Sequence, residues 1–195
     1  MIKHLKSPAT SRWFAASAGA VAFAMLAGLG VPTASATECL LDTNNNGIAD
    51  PGDTDAGATS DGTTTSLACG AAANAQAINS VAVGSGASTA STNLASLGTS
   101  VAIGNAARAS DEDAVAIGDK TLASGFHSTA VGGEAVASGR GAQAFGWQSS
   151  AAGNLSLAAG HQANAAGIQS TALGKNANSM GMNAVAVGFG ASARA

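Results

Sequence analysis

From residue 66 onward, small apolar residues alternate with polar ones in short bursts, and the bursts recur at a fixed interval. SVAIGNAARASDED begins at Ser100, AVAIGDKTLASGFH at Ala114, STAVGGEAVASGRG at Ser128 and AQAFGWQSSAAGNL at Ala142. SLAAGHQANAAGIQ, STALGKNANSMGMN and the shorter AVAVGFGASARA follow from Ser156, Ser170 and Ala184. The same register runs back to units opening at Ser66 and Ser80, so the fourteen-residue period is met nine times, with a six-residue insertion near 94–99. A fixed period with no helical pattern inside it marks a stacked repeat array.

With Ser100 as position 1, position 3 is Ala in all nine units, from Ala68 to Ala186, and position 5 is Gly in all nine, from Gly70 to Gly188. Positions 8 and 10 are mostly Ala, and position 12 is often Gly. Alternation within each half-unit predicts two short strands, with turns near positions 6–7 and 13–14. Positions 3 and 5 are expected on one inner face and 8, 10 and 12 on the other. Only small residues stand there, so the two strands can lie close and each unit becomes a thin, flat coil. Successive coils then pair in parallel at the ordinary ladder spacing of about 4.8 Å.

The outward faces differ. Positions 7, 9 and 11 are mostly polar, as at Gln162, Asn164, Asn176 and Asn178. Positions 2 and 4 carry Val81, Val83, Val101, Ile103, Val115, Ile117, Val131, Leu157, Leu173, Val185 and Val187. Burying two such side chains contributes about 3–6 kcal/mol per coil. Left exposed along the array they form an apolar patch larger than monomers tolerate. The stripe is therefore expected to pack against other copies of the chain, and a leader too polar to cover it argues against a monomer.

Composition supports this architecture and excludes others. Charged residues make up 10% and aromatics 4% of the chain, with 26 Gly and no Tyr, so large side chains cannot build an ordinary core. Such a composition also occurs in disordered linkers, but a strict period does not. A coiled coil is excluded because Ala and Gly make a poor seam and each Gly weakens a helix by up to about 1 kcal/mol.

The motif S-V-A-[IV]-G-x-x-A-x-A-x-G resembles the YadA-like head repeats of trimeric autotransporter adhesins. SVAIG at Ser100–Gly104, AVAIG at Ala114–Gly118 and NSVAVG at Asn79–Gly84 carry the likeness, which covers residues 66–195. The resemblance implies an all-β, left-handed parallel β-roll of fourteen-residue coils, assembled as a homotrimer. It also implies display at the outer membrane of a Gram-negative cell and attachment to host-cell receptors or matrix proteins such as collagen or fibronectin, with autoaggregation as a further property. Such adhesins continue into a stalk and a β-barrel anchor. This sequence stops at Ala195, so a truncated or a secreted head is expected.

Residues 1–36 read as a secretory signal. Lys3, His4, Lys6 and Arg12 precede an apolar run from Trp13 to Val31, and Ala34-Ser35-Ala36 places cleavage between Ala36 and Thr37. The alternative is a membrane anchor, but Gly19, Gly28 and Gly30 interrupt the run. No later segment is apolar enough to span a bilayer. Residues 37–195 carry five basic side chains against eleven acids, five minus eleven or −6, which leaves no footprint for nucleic acid.

Residues 37–65 form an acidic Asn/Asp/Gly-rich leader. Its Asp42–Asp53 stretch has the form D-x-N-x-N-G-x-x-D-x-x-D. Calcium takes six to eight oxygens, and Asp42, Asn44, Asn46, Asp50 and Asp53 supply side-chain ligands of that kind, with the Ile48 carbonyl as a sixth. The pattern resembles the calcium loops of thrombospondin type-3 repeats. The competing reading is a solvated turn, which Asn, Asp and Gly form unaided. No other cofactor is required. Cys39 and Cys69 are the only cysteines. Export favours a disulfide, within the chain or, because Cys69 stands at position 4 in the stripe, between chains.

Nothing in the array has the arrangement of an active site. His127 and His161 fall in different coils, Asp111, Glu112 and Asp113 read as a solvated turn, and Trp147 and Phe189 share position 6. Hexapeptide acyltransferases have a period of six, and ice-binding solenoids need unbroken Thr columns that Val, Gln and Leu interrupt here. The rival to adhesion is a structural spacer that binds no receptor.

Overall fold

In a computed structural model the described residues, 54–60, 65–89 and 99–194, form a parallel β-solenoid. Each coil from Ser100 onward contributes one strand to each of two sheets. The longer sheet has nine strands in chain order: Leu67–Cys69, Val81–Val83, Val101–Ile103, Val115–Ile117, Thr129–Val131, Gln143–Phe145, Leu157–Ala159, Thr171–Leu173 and Val185–Val187. These occupy positions 2 to 4. The other sheet uses positions 9 and 10 and runs through seven strands from Arg108–Ala109 to Ser192–Ala193. Single bridges from Asn74 to Ser88 and from Ser88 to Arg108 extend it toward the N-terminus.

Every pairing is parallel and position-matched. Ala102 faces Ala116, and Ala116 faces Ala130. Across the insertion the partners are Val81 with Val101 and Ser88 with Arg108, so the register resumes position for position on its far side. Each inner strand bonds to the coils on both sides: Gly118 N–H donates to the Ile103 carbonyl at 2.8 Å, and Val115 N–H to the Ser128 carbonyl at 2.9 Å.

The turns are laddered too. Positions 7 and 14 adopt the left-handed conformation in coil after coil, as at Lys120 (φ 51°) and His127 (φ 55°). Their N–H groups donate to the preceding coil, Lys120 to the Asn105 carbonyl at 2.8 Å and His127 to the Glu112 carbonyl at 2.9 Å.

The interior is nearly all Ala. Positions 3, 8 and 10 are buried almost throughout, as at Ala116, Ala135 and Ala137. Position 1 is buried as well, at Ser80, Ser100, Ala114, Ser128, Ala142, Ser156 and Ser170. The two inner faces meet directly, since Thr89 Oγ1 donates to Ser80 Oγ across the core at 2.8 Å.

Position 5 departs from the expected inner face. These glycines are half-buried or exposed, and their φ values lie between +119° and +137°. The backbone leaves the strand there to enter the turn, so the alternation that put position 5 beside position 3 ends one residue sooner. Position 12 is inside as expected wherever it is Gly125, Gly139, Gly153 or Gly167.

Part of the leader joins the stack. Thr59–Ser60 pairs in parallel with Asn74–Ala75, and Ala58 N–H donates to the Asp55 carbonyl at 3.0 Å as in a repeat turn. Residues 55–60 thus form a half-coil covering the N-terminal end. Among the described residues no helix is long and apolar enough to cross a membrane.

Candidate functional site

Among the described residues, the outer face of the longer sheet carries a run of mostly apolar side chains that the solenoid's own interior does not use. Position-matched pairing turns the sequence pattern into two columns. One runs Val81, Val101, Val115, Thr129, Gln143, Leu157, Thr171, Val185. The other runs Val83, Ile103, Ile117, Val131, Phe145, Ala159, Leu173, Val187.

All eleven side chains expected in the stripe lie on this face, and none is buried within the chain. Ile103 is 38% exposed, Leu173 46% and Val187 61%. Leu67 and Phe145 belong to the same columns and were not among the eleven, although positions 2 and 4 mark them. Thr129, Gln143 and Thr171 interrupt the stripe without breaking it, because in each coil the position-4 side chain beside them is Val131, Phe145 or Leu173.

The opposite sheet presents a different surface. Its position-9 column runs Arg108, Leu122, Val136, Ser150, Asn164, Asn178, Ser192. Asn164 Nδ2 donates to Asn178 Oδ1 at 3.1 Å, an amide ladder between coils.

Both edges also carry ladders. At positions 6 and 7, Asn105 donates to Asp119 at 2.7 Å, Gln148 to Glu134 at 2.7 Å and Gln162 to Gln148 at 2.9 Å. On the same edge the Trp147 and His161 rings stack with centroids 4.8 Å apart. Gly133 leaves room for the indole, since a Cβ there would meet Trp147 Cδ1 at 3.1 Å. Phe189 is 78% exposed, with Lys175 Nζ 6.0 Å from its ring centre.

Asp111, Glu112 and Asp113 do form a turn, in which Asp111 Oδ1 accepts from the Glu112 N–H at 2.8 Å. Asp113 also meets His127 of the next coil, a contact that the linear sequence hides and the fourteen-residue register predicts. Cys69 is disulfide-bonded. Cys39, Asp42, Asn44, Asn46, Asp50 and Asp53 lie outside the described residues, as do Ala36 and Thr37 at the expected cleavage site.

A family model described as YadA head domain repeat (2 copies) matches residues 64–87, 99–121, 123–149, 151–177 and 165–191. The chain belongs to the YadA head family. The unmatched stretch between 87 and 99 is where the register takes up its extra residues. No curated protein gives a significant match. A YadA-like head is a surface-exposed part of a trimeric autotransporter and an adhesin-type domain. The family is of an adhesin-like, non-enzymatic kind.

Proposed function

We propose that this YadA head works as a homotrimer of left-handed β-rolls, with the stripe packed around a common axis and the other faces turned to a ligand. The observation that carries the proposal is the contrast between the two sheets of one solenoid. One presents mostly apolar columns, and the other a position-9 column that is polar from Ser150 to Ser192, with an amide pair between Asn164 and Asn178. A two-sided solenoid of this kind has one face to hide and one to offer.

The ligand is a matrix protein, collagen-like or fibronectin-like, or a host-cell receptor. Binding spread over repeated coils gains strength by multivalency, so no single residue need dominate. Copies on neighbouring cells can also meet and autoaggregate. Export through the signal at residues 1–36 and display on the outer membrane of a Gram-negative cell complete the reading. An intrachain Cys39–Cys69 disulfide ties the leader to the first coil, and the Asp42–Asp53 loop binds calcium.

Capture of the full chain on immobilised collagen, fibronectin and cultured host cells tests the proposal. An adhesin head is retained by at least one of them in a saturable manner. Failure to bind all three would leave the spacer reading in its place.

A further inference from the structure

One edge of the solenoid brings together side chains that neither the sheets nor the core employ. Glu112 and Asp113 close the coil that opens at Ser100, and His127 closes the next. Asp113 and His127 share the left-handed conformation, φ 52° and 55°, one coil apart. The ladder bond from His127 N–H to the Glu112 carbonyl, 2.9 Å, fixes their offset. Their side chains therefore leave the backbone in the same direction, side by side.

One ligand atom from each of Glu112, Asp113 and His127 lies within 4.8 Å of the other two. His127 Nε2 stands 3.3 Å from Asp113 Oδ2. That is longer than the roughly 2.7–2.9 Å of a charge-assisted hydrogen bond. It equals the separation of about 3.3–3.4 Å that two donors have when both sit roughly 2.0–2.1 Å from one tetrahedral ion.

The surroundings hold the donors in place. Thr99 Oγ1 donates to Asp113 Oδ1, which leaves Oδ2 turned to the imidazole. The Phe126 ring stacks on His127 with centroids 3.8 Å apart, and the Arg140 guanidinium covers Phe126 at 4.9 Å. The Arg140 charge is thus engaged by the phenyl ring.

We propose that Glu112, Asp113 and His127 form a binding site for a divalent transition-metal ion of the zinc class. An imidazole nitrogen with two carboxylates suits zinc, copper or nickel, whereas calcium prefers an all-oxygen shell. About half of the His127 and Asp113 side-chain surface is exposed, 51% and 48%. Coordination positions remain open to water or to a donor from a neighbouring molecule, and affinity is moderate.

Calorimetric titration of the full chain with zinc chloride in excess calcium, compared with His127→Gln and Asp113→Asn, tests the site. One ion per chain with a micromolar dissociation constant is expected, weakened at least tenfold by either substitution. Excess calcium occupies the leader loop and keeps it out of the measurement. The exposed positions allow both variants to fold, which unchanged metal-free melting curves establish. Absence of zinc binding, or binding that His127→Gln leaves unchanged, overturns the proposal.

Discussion

Gly146 and Gly160 stand one coil apart, and a Cβ on the first would lie 2.8 Å from both the carbonyl carbon and the oxygen of the second. The same close approach recurs from Gly70 to Gly174, so the position-5 glycines form a column in which coil touches coil through bare backbone. Each also needs φ near +120°, which side chains rarely permit.

Gly146→Ala is therefore expected to destabilise the fold by about 3 kcal/mol or more, from strain and clash together. Gly190→Ala is the control. Its φ is +64° and a Cβ there meets nothing within 4 Å, so its cost is about 1 kcal/mol. Urea denaturation of both variants measures the difference.

The buried serines of position 1 divide into two groups. Ser100 Oγ donates to the Asp111 carbonyl at 2.9 Å, and Ser66 Oγ to the Ala77 carbonyl at 3.0 Å. Among the described residues, the hydroxyls of Ser128, Ser156 and Ser170 have no hydrogen-bond partner. In these three coils position 12 is Gly139, Gly167 and Gly181, where the first two have a side chain. Ser156→Ala should be neutral or stabilising by about 1 kcal/mol, and Ser100→Ala destabilising by about as much. Equal effects in denaturation would contradict the division.

These two positions show where the sequence was legible. The period alone predicts the parallel pairing, the stripe and the matched register, because a one-coil offset reproduces every side chain. It could not assign position 1, where Ser reads as polar although its hydroxyl can be satisfied inside. Nor could it place position 5, because the glycine that ends a strand looks the same as one packed within it. The half-coil at residues 55–60 escaped for a third reason. Thr59 and Asn74 pair at a spacing of fifteen residues, one more than the repeat. The Asp113–His127 contact was implicit in the period, but only the turn conformation shows that both side chains point the same way.

The disulfide has a direct readout. If Cys69 closes a loop with Cys39, non-reducing denaturing electrophoresis gives a chain of monomer mass. A ladder of dimers would place the bridge between chains. By the loop-entropy estimate, closing about thirty residues stabilises the leader by roughly 3–4 kcal/mol, so reduction should lower the melting temperature of the first coils.

Calcium is expected to bind the leader and not the array. Titration calorimetry of the full chain should give a calcium site that Asp42→Ala and Asp50→Ala remove and His127→Gln leaves intact. No heat, or heat unaffected by the two Asp substitutions, would return the loop to a plain solvated turn.

The stripe makes the strongest demand on the account. Ile103 and Ile117 stand on paired strands within it, 38% and 36% exposed. Sedimentation equilibrium of the full chain is the most direct test. Trimeric packing through the stripe predicts a species of three times the chain mass, shifted toward monomer by a charged substitution such as Ile117→Glu. A stable monomer across the accessible concentration range, with the stripe open to water, would contradict it.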